Sequence, residues 1–135
     1  MRARGPHNAV RLYAHIVWHT WRRRPFLCAA DVQVVAEAIS RAGERTRVRV
    51  LAQAVLTEHL HLLVRCAPDA TVSAFVREAK SESARRVNET RREGEAIKWC
   101  RGYFADSVSR SDVLGVRQYL ARQYQRHPPR KSLVS

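Results

Sequence analysis

RVRVLAQAVLTEHLHLLVRC, residues 47–66, holds two strand-like runs separated only by Thr57 and Glu58. Residues 47–56 read as one strand and residues 59–66 as the next. A parallel return needs a crossover of about a dozen residues or more, so this short link makes the pair antiparallel. Side chains two positions apart project from the same face of a strand. His59 and His61 therefore share one face, while Leu60, Leu62 and Val64 turn to the other and into a core.

Upstream of this hairpin, residues 11–19 read as a strand with Ala14, Ile16 and Trp18 on one side and Tyr13, His15, Val17 and His19 on the other. Pro25 removes a ladder donor, so it ends the strand or bends the chain. Val32, Val35, Ala36 and Ile39 then recur at helical spacing, with Asp31 as the expected cap and Gly43 as the expected stop. Downstream, Pro68 and Asp69 break the third strand, and Val72, Phe75, Val76 and Ala79 open a long amphipathic helix reaching toward Asn88. A charged loop over residues 89–95, a fourth strand over 102–108 and a last helix from Asp112 to Arg126 follow, with Pro128 and Pro129 as the stop. The order β-α-β-β-α-β-α predicts an α+β fold of the ferredoxin-like, split βαβ kind. This is a four-stranded antiparallel sheet with two helices on one face, followed by an additional C-terminal helix. The 135 residues are one domain's worth, expected to span 1–135 with residues 1–10 and 128–135 as flexible tails.

Lys and Arg number 25 against 12 Asp and Glu, a formal charge of +13. That excess concentrates polyanions near the surface, which makes nucleic acid the first partner to consider. Arg22, Arg23 and Arg24 form the clearest basic cluster, and Arg77, Lys80, Arg85 and Arg86 extend a possible backbone-binding face. The competing reading of the latter group is intrahelical pairing with Glu78, Glu82 and Glu89. Trp21 and Trp18 can stack on bases, although Trp18 falls on the apolar side of its strand and is better explained by core packing. Cys28, Cys66 and Cys100 are singly spaced and odd in number, which fits a reducing, cytoplasmic setting rather than a disulfide scaffold. No run approaches the roughly 20 apolar residues of a membrane-spanning helix, and the start lacks a signal peptide's apolar core.

Two imidazoles on one strand face are an incomplete metal shell, and ordinary half-exposed sheet histidines account for the spacing equally well. The last helix adds to them. Val113, Val116, Leu120 and Tyr124 form an apolar stripe, and beside it Tyr119, Gln123 and His127 recur at intervals of four. An amide oxygen can coordinate a hard cation, and a phenol can attack phosphorus once its proton is removed. Tyr124 has Pro128 four residues on instead of an amide and sits on the apolar stripe, so packing explains it better.

Five stretches in this order carry a family resemblance: Tyr13-Ala14-His15-Ile16-Val17-Trp18; Glu58 through Val64; Val72 through Arg77, Ser83 and Asn88; Trp99 with residues 102–108; and Val116 through Gln123. Together they cover most of the chain, which resembles the IS200/IS605-type transposases, especially the REP-associated tyrosine transposases, within the histidine-hydrophobic-histidine nucleases. The resemblance implies that His59, His61 and Gln123 hold a magnesium or manganese ion and that Tyr119 is the nucleophile. It implies cleavage and rejoining of single-stranded DNA near hairpins or imperfect palindromes through a 5′-phosphotyrosine link. His15 and His127 are candidates for the base that takes the phenol's proton, since a phenol of pKa ~10 is mostly protonated at neutral pH. Relatives of this type can act as monomers or dimers, and the short tail after Arg126 leans toward a monomer.

Two departures stand out. The family usually carries Met-Pro-Asn before the first histidine, where this chain has Leu56-Thr57-Glu58, putting a carboxylate beside the site as a possible auxiliary or a weakening group. Gly115, early in the last helix, costs about 1 kcal/mol of helix propensity relative to Ala and calls for either looseness or a close backbone contact. Two other functions compete with the transposase expectation: a catalytically inactive nucleic-acid-binding module of the same fold, and a metal-dependent hydrolase that uses water. The second would have no need of the Tyr119 and Gln123 pairing.

Overall fold

A computed structural model describes residues 12–91 and 94–126 of the chain. Alternation of apolar and polar side chains produces four strands: β1 (Leu12–His19), β2 (Val48–Val55), β3 (His59–Cys66) and β4 (Phe104–Val108). Three helices connect or follow them: α1 (Ala29–Thr46), α2 (Val72–Thr90) and α3 (Val113–Arg126). All pairings are antiparallel and the order across the sheet is β2-β3-β1-β4, the split βαβ arrangement expected from the sequence.

One face of the sheet presents Ala14, Ile16 and Trp18 from β1 with Leu60, Leu62 and Val64 from β3, and α1 and α2 cover it with Val35, Ile39, Phe75, Val76 and Ala79. Trp18, Ile16, Leu60, Leu62 and Phe75 are fully buried. Each such side chain contributes about 1.5–3 kcal/mol relative to exposure, so this layer is the main source of stability. The opposite face holds a much smaller cluster, Ala54, Leu63 and Leu120, where α3 lies over β2 and β3.

Several boundaries differ from the sequence reading for identifiable reasons. Asp31 does cap α1, but from inside its first turn: the helix starts at Ala29, and the Cys28 backbone N–H donates back to Asp31 Oδ2 at 2.9 Å. The same carboxylate accepts from Arg91 at 2.8 Å, and both side chains are 8% exposed, so one buried ion pair ties the end of α2 to the start of α1. Gly43 is not the stop. The helix continues to Thr46 and closes on Arg47 in the left-handed conformation, φ 63°. Gly43 is required by proximity, since a Cβ there would lie 2.3 Å from the Val48 carbonyl oxygen. β4 begins at Phe104 rather than at 102, because Gly102 turns the chain with φ 81° and Lys80 accepts no ladder role there but donates to the Cys100 and Gly102 carbonyls at 2.8 and 2.7 Å. The helix α2 runs past Asn88 to Thr90, and a single 3-10 turn at Arg110–Asp112 precedes α3. Among the described residues no helix is long and apolar enough to cross a membrane.

Candidate functional site

The same alternation that sends Leu60 and Leu62 into the core turns His59 and His61 toward the α3 side of the sheet. In the β1–β3 register, Val17 lies opposite His61 and His19 opposite His59, so β1 contributes His15 and His19 to that face. Four imidazoles result. The His15 and His61 rings stack with centroids 5.2 Å apart, His59 and His61 meet edge to face at 5.1 Å, and His19 and His59 lie at 5.8 Å. His15 Nε2 is 3.0 Å from His61 Nδ1. Burial holds the His15 imidazolium below the usual histidine range, against the pull of the Asp106 carboxylate across the β1–β4 pair.

Helix α3 is seated by Leu120 against Ala54 and Leu63, by the Tyr124 hydroxyl, which accepts from the Val55 backbone N–H at 2.7 Å, and by Arg117, which donates to the Leu51 carbonyl at 2.9 Å. Seating through these residues presents Tyr119 to the histidines: its ring lies 5.7 Å from His61 and 6.0 Å from His15, each edge to face. Tyr119 is 37% exposed. Gln123, one turn further along, is buried. Tyr124 packs in the small cluster and is committed to Val55, in keeping with its reading as a structural residue. His127 lies outside the described residues.

At the rim, the turn after β1 is fixed by the Thr20 N–H, which donates to the Glu58 carbonyl at 2.7 Å. Arg22 and Arg23 follow with φ of 54° and 53°, a left-handed pair that is uncommon outside glycine. This backbone directs the Arg23 guanidinium onto His19 Nε2 at 2.7 Å and Glu58 Oε1 at 3.3 Å. Glu58 Oε1 is also 3.8 Å from His59 Nδ1. Burial and then the Arg23 charge depress the His19 pKa, outweighing the Glu58 carboxylate. The Glu58 carboxylate beside the site is thus matched by a local cation. Arg22 lies over the Trp21 ring at 4.2 Å and Lys98 at 4.9 Å, so this aromatic already carries two cations.

The basic residues expected to form one face do not do so. Arg77, Lys80 and Arg85 are on α2, which packs on the Leu60 and Leu62 face, with the sheet between them and Tyr119. Arg85 pairs with Glu82 at 2.7 Å and Glu89 at 3.1 Å, and Lys80 holds the loop before β4. Arg24 pairs with Glu95 at 2.9 Å. The competing reading of these residues, intrahelical pairing with Glu82 and Glu89, is the one the structure shows for Arg85, on a helix whose apolar positions Phe75, Val76 and Ala79 face the core. His19 was placed on the right side of β1 by alternation but was not drawn into the site, because its link runs through Arg23, a contact made by an unusual backbone.

The residues present suit a divalent cation in donor type. His59 and His61 are adjacent imidazoles on one strand face and Gln123 offers an amide oxygen from a neighbouring helix. Among the described residues no group of three or more His, Cys, Asp and Glu side chains is placed to hold a metal ion, so the two histidines need that amide or substrate oxygens to complete a shell.

The fold is that of known transposase structures. A candidate transposase of Deinococcus radiodurans R1, solved by crystallography, superposes with a TM-score of 0.67 at 22% identity, covering 91% of this chain and 97% of that one. A REP-associated tyrosine transposase bound to a REP hairpin superposes with a TM-score of 0.68 at 18% identity over 87% of this chain and 68% of that one. The chain belongs to the IS200-like transposases: the family described as "Transposase IS200 like" matches residues 8–123. The transposase for insertion sequence element IS200 of Salmonella typhimurium is 27% identical over 116 residues, 81% of this chain and 74% of that protein. The corresponding protein of Salmonella typhi matches equally. The protein is accordingly a DNA transposase of this family.

Proposed function

We propose that this transposase cuts and rejoins single-stranded DNA beside hairpins or imperfect palindromes, with Tyr119 as nucleophile and His59, His61 and Gln123 as ligands of a magnesium or manganese ion. The observation that carries the reading is the meeting of Tyr119, from α3, with His61, from β3, at 5.7 Å between ring centroids. Two elements distant in sequence bring a partly exposed phenol against a buried imidazole on the α3 face of the sheet. The solved relative bound to a REP hairpin supports the choice of substrate.

In this reading the Tyr119 oxygen attacks the scissile phosphorus, the bond from phosphorus to the 3′ oxygen breaks, and a phosphotyrosyl diester forms. One diester replaces another, so the step needs no nucleoside triphosphate. The phenol is partly exposed, which lets its proton leave to water, and the departing 3′ oxygen takes up a proton in turn. His59, His61 and Gln123 would hold the divalent cation, which would supply charge neutralisation at the scissile phosphate. The buried Leu120 and the Tyr124 bond to Val55 orient the phenol by fixing the helix that bears it. Attack by the 3′ hydroxyl of another strand on the phosphotyrosine reverses the chemistry and regenerates Tyr119. Tyr119 faces the histidines of its own chain, which supports a tyrosine acting within its own copy and so an active monomer.

The test is incubation of the purified protein with labelled single-stranded DNA containing inverted repeats from its own genomic flanks, in manganese or magnesium. The expected result is a protein-DNA adduct that survives denaturation and is absent from Tyr119→Phe. An adduct that persists in Tyr119→Phe excludes this nucleophile, and hairpin binding with no adduct under any metal condition favours a binding module without chemistry.

A further inference from the structure

We propose that His15 is a positioning residue that fixes the tautomer of His61, and so decides which His61 nitrogen is presented as a ligand. This rests on the reading of His61 as a ligand given above. His15 Nε2 lies 3.0 Å from His61 Nδ1. At that separation two neutral imidazoles share one proton, one nitrogen donating and the other accepting. The two directions have opposite consequences. With His15 as donor, the proton of neutral His61 sits on Nε2, and that nitrogen has no lone pair for a cation. With His61 Nδ1–H as donor, His61 Nε2 keeps its lone pair and His15 carries its own proton on Nδ1.

Ligation through Nε2 requires the second direction, because the His61 nitrogen that faces His15 is Nδ1 and must then carry the ring's proton. Asp106, the cross-strand neighbour of His15 on β4, adds a negative charge near that ring without bonding to it. A hydrogen-bond partner behind a ligating histidine orients the ring and tunes its basicity. The stacking of the two rings, with an interplanar angle of 26°, and the half-buried place of His15 in the central part of the sheet make the arrangement rigid. His15 Nε2 is thereby committed to His61, which removes it as the nitrogen that would take the Tyr119 proton. The role of His15 is exerted through another residue.

Long-range proton-nitrogen NMR of the metal-free protein reads the tautomer of each imidazole directly. The expected spectrum has neutral His61 as the Nδ1–H form. In His15→Phe, which keeps the bulk and removes the acceptor, His61 shifts toward the Nε2–H form. His15→Gln, whose side-chain oxygen can reach the position of the lost nitrogen, returns it. Manganese affinity, followed by the loss of the free-ion EPR signal, weakens roughly 10- to 100-fold in His15→Phe and recovers in His15→Gln. An Nε2–H tautomer at His61 in the unaltered protein overturns the proposal, as does His15→Phe with tautomer and manganese affinity unchanged. If the unaltered protein shows the Nδ1–H form and binds no manganese, the positioning by His15 is supported and the metal reading of the site fails.

Discussion

Tyr119 and Tyr124 are five residues apart on one helix, and their surroundings separate their roles. Tyr124 accepts a 2.7 Å hydrogen bond from the Val55 amide and packs in the cluster beneath α3, while Tyr119 is exposed beside His15 and His61. Removing the Tyr124 hydroxyl leaves a backbone donor without its partner, a loss of about 1–3 kcal/mol where the donor is buried. Tyr124→Phe is therefore expected to lower the denaturant midpoint while still forming the covalent DNA adduct. Tyr119→Phe is expected to do the reverse, keeping stability within about 0.5 kcal/mol, as exposed substitutions usually do, and abolishing the adduct. Equilibrium unfolding and adduct formation, measured on both variants, check the assignment. At this scale the sequence showed which tyrosine had an amide four residues on, and it placed Tyr124 on the apolar stripe. It could not show the pairing of Arg23 with Glu58 and His19, because that depends on two successive left-handed residues in a turn with no glycine to announce them.

Two glycines in helices show how the elements meet and where sequence patterns fall short. Gly43 in α1 and Gly115 in α3 present the same signal in the chain, a helix breaker within an apolar periodicity. Their environments are opposite. A Cβ at Gly43 would collide with the Val48 carbonyl, so Gly43→Ala is expected to force α1 from β2 and cost about 1–3 kcal/mol. A Cβ at Gly115 meets nothing within 4 Å, which removes close backbone contact as its explanation. Gly115→Ala is expected to stabilise the protein by about 1 kcal/mol through helix propensity alone. Thermal or denaturant unfolding of the two variants should move in opposite directions. The strands and the order of elements were legible because apolar alternation and the two-residue link between β2 and β3 act locally. Helix ends were less legible: Asp31 bonds backward to Cys28, and Arg47 closes α1 without glycine. The partner of each helix face also depends on the assembled sheet.

Across the whole molecule, the sheet separates the basic residues that the sequence singles out for DNA contact. Arg77 and Arg85 lie with α2 on the side away from Tyr119, whereas Arg22 and Lys98 gather at Trp21, in the turn that also carries Arg23 to the histidine rim. Neutralising Arg77 and Arg85 together is expected to change single-stranded DNA affinity less than Arg22→Ala with Lys98→Ala. Titrations at several salt concentrations check this, since each lost phosphate contact reduces the salt slope by about 0.7 for a single strand. Equal slopes for the two double variants would remove the distinction between faces. The approach of Tyr119 to His15 and His61 of its own chain leads to a further expectation: mixing Tyr119→Phe with His61→Ala should not restore adduct formation. Restored adduct would place the tyrosine of one copy at the histidines of another.

The unequal layers on the two sides of the sheet bear on how such a protein can change over generations. The large core lies beneath α1 and α2, and the tyrosine helix rests on the small cluster of Ala54, Leu63 and Leu120. Inherited substitutions on α3 therefore draw on only a minor share of the folding free energy. A lineage can retune, or lose, the Tyr119 helix while the sheet and its two covering helices persist, so descendants that keep this shape without the proposed chemistry are an expected product of the architecture.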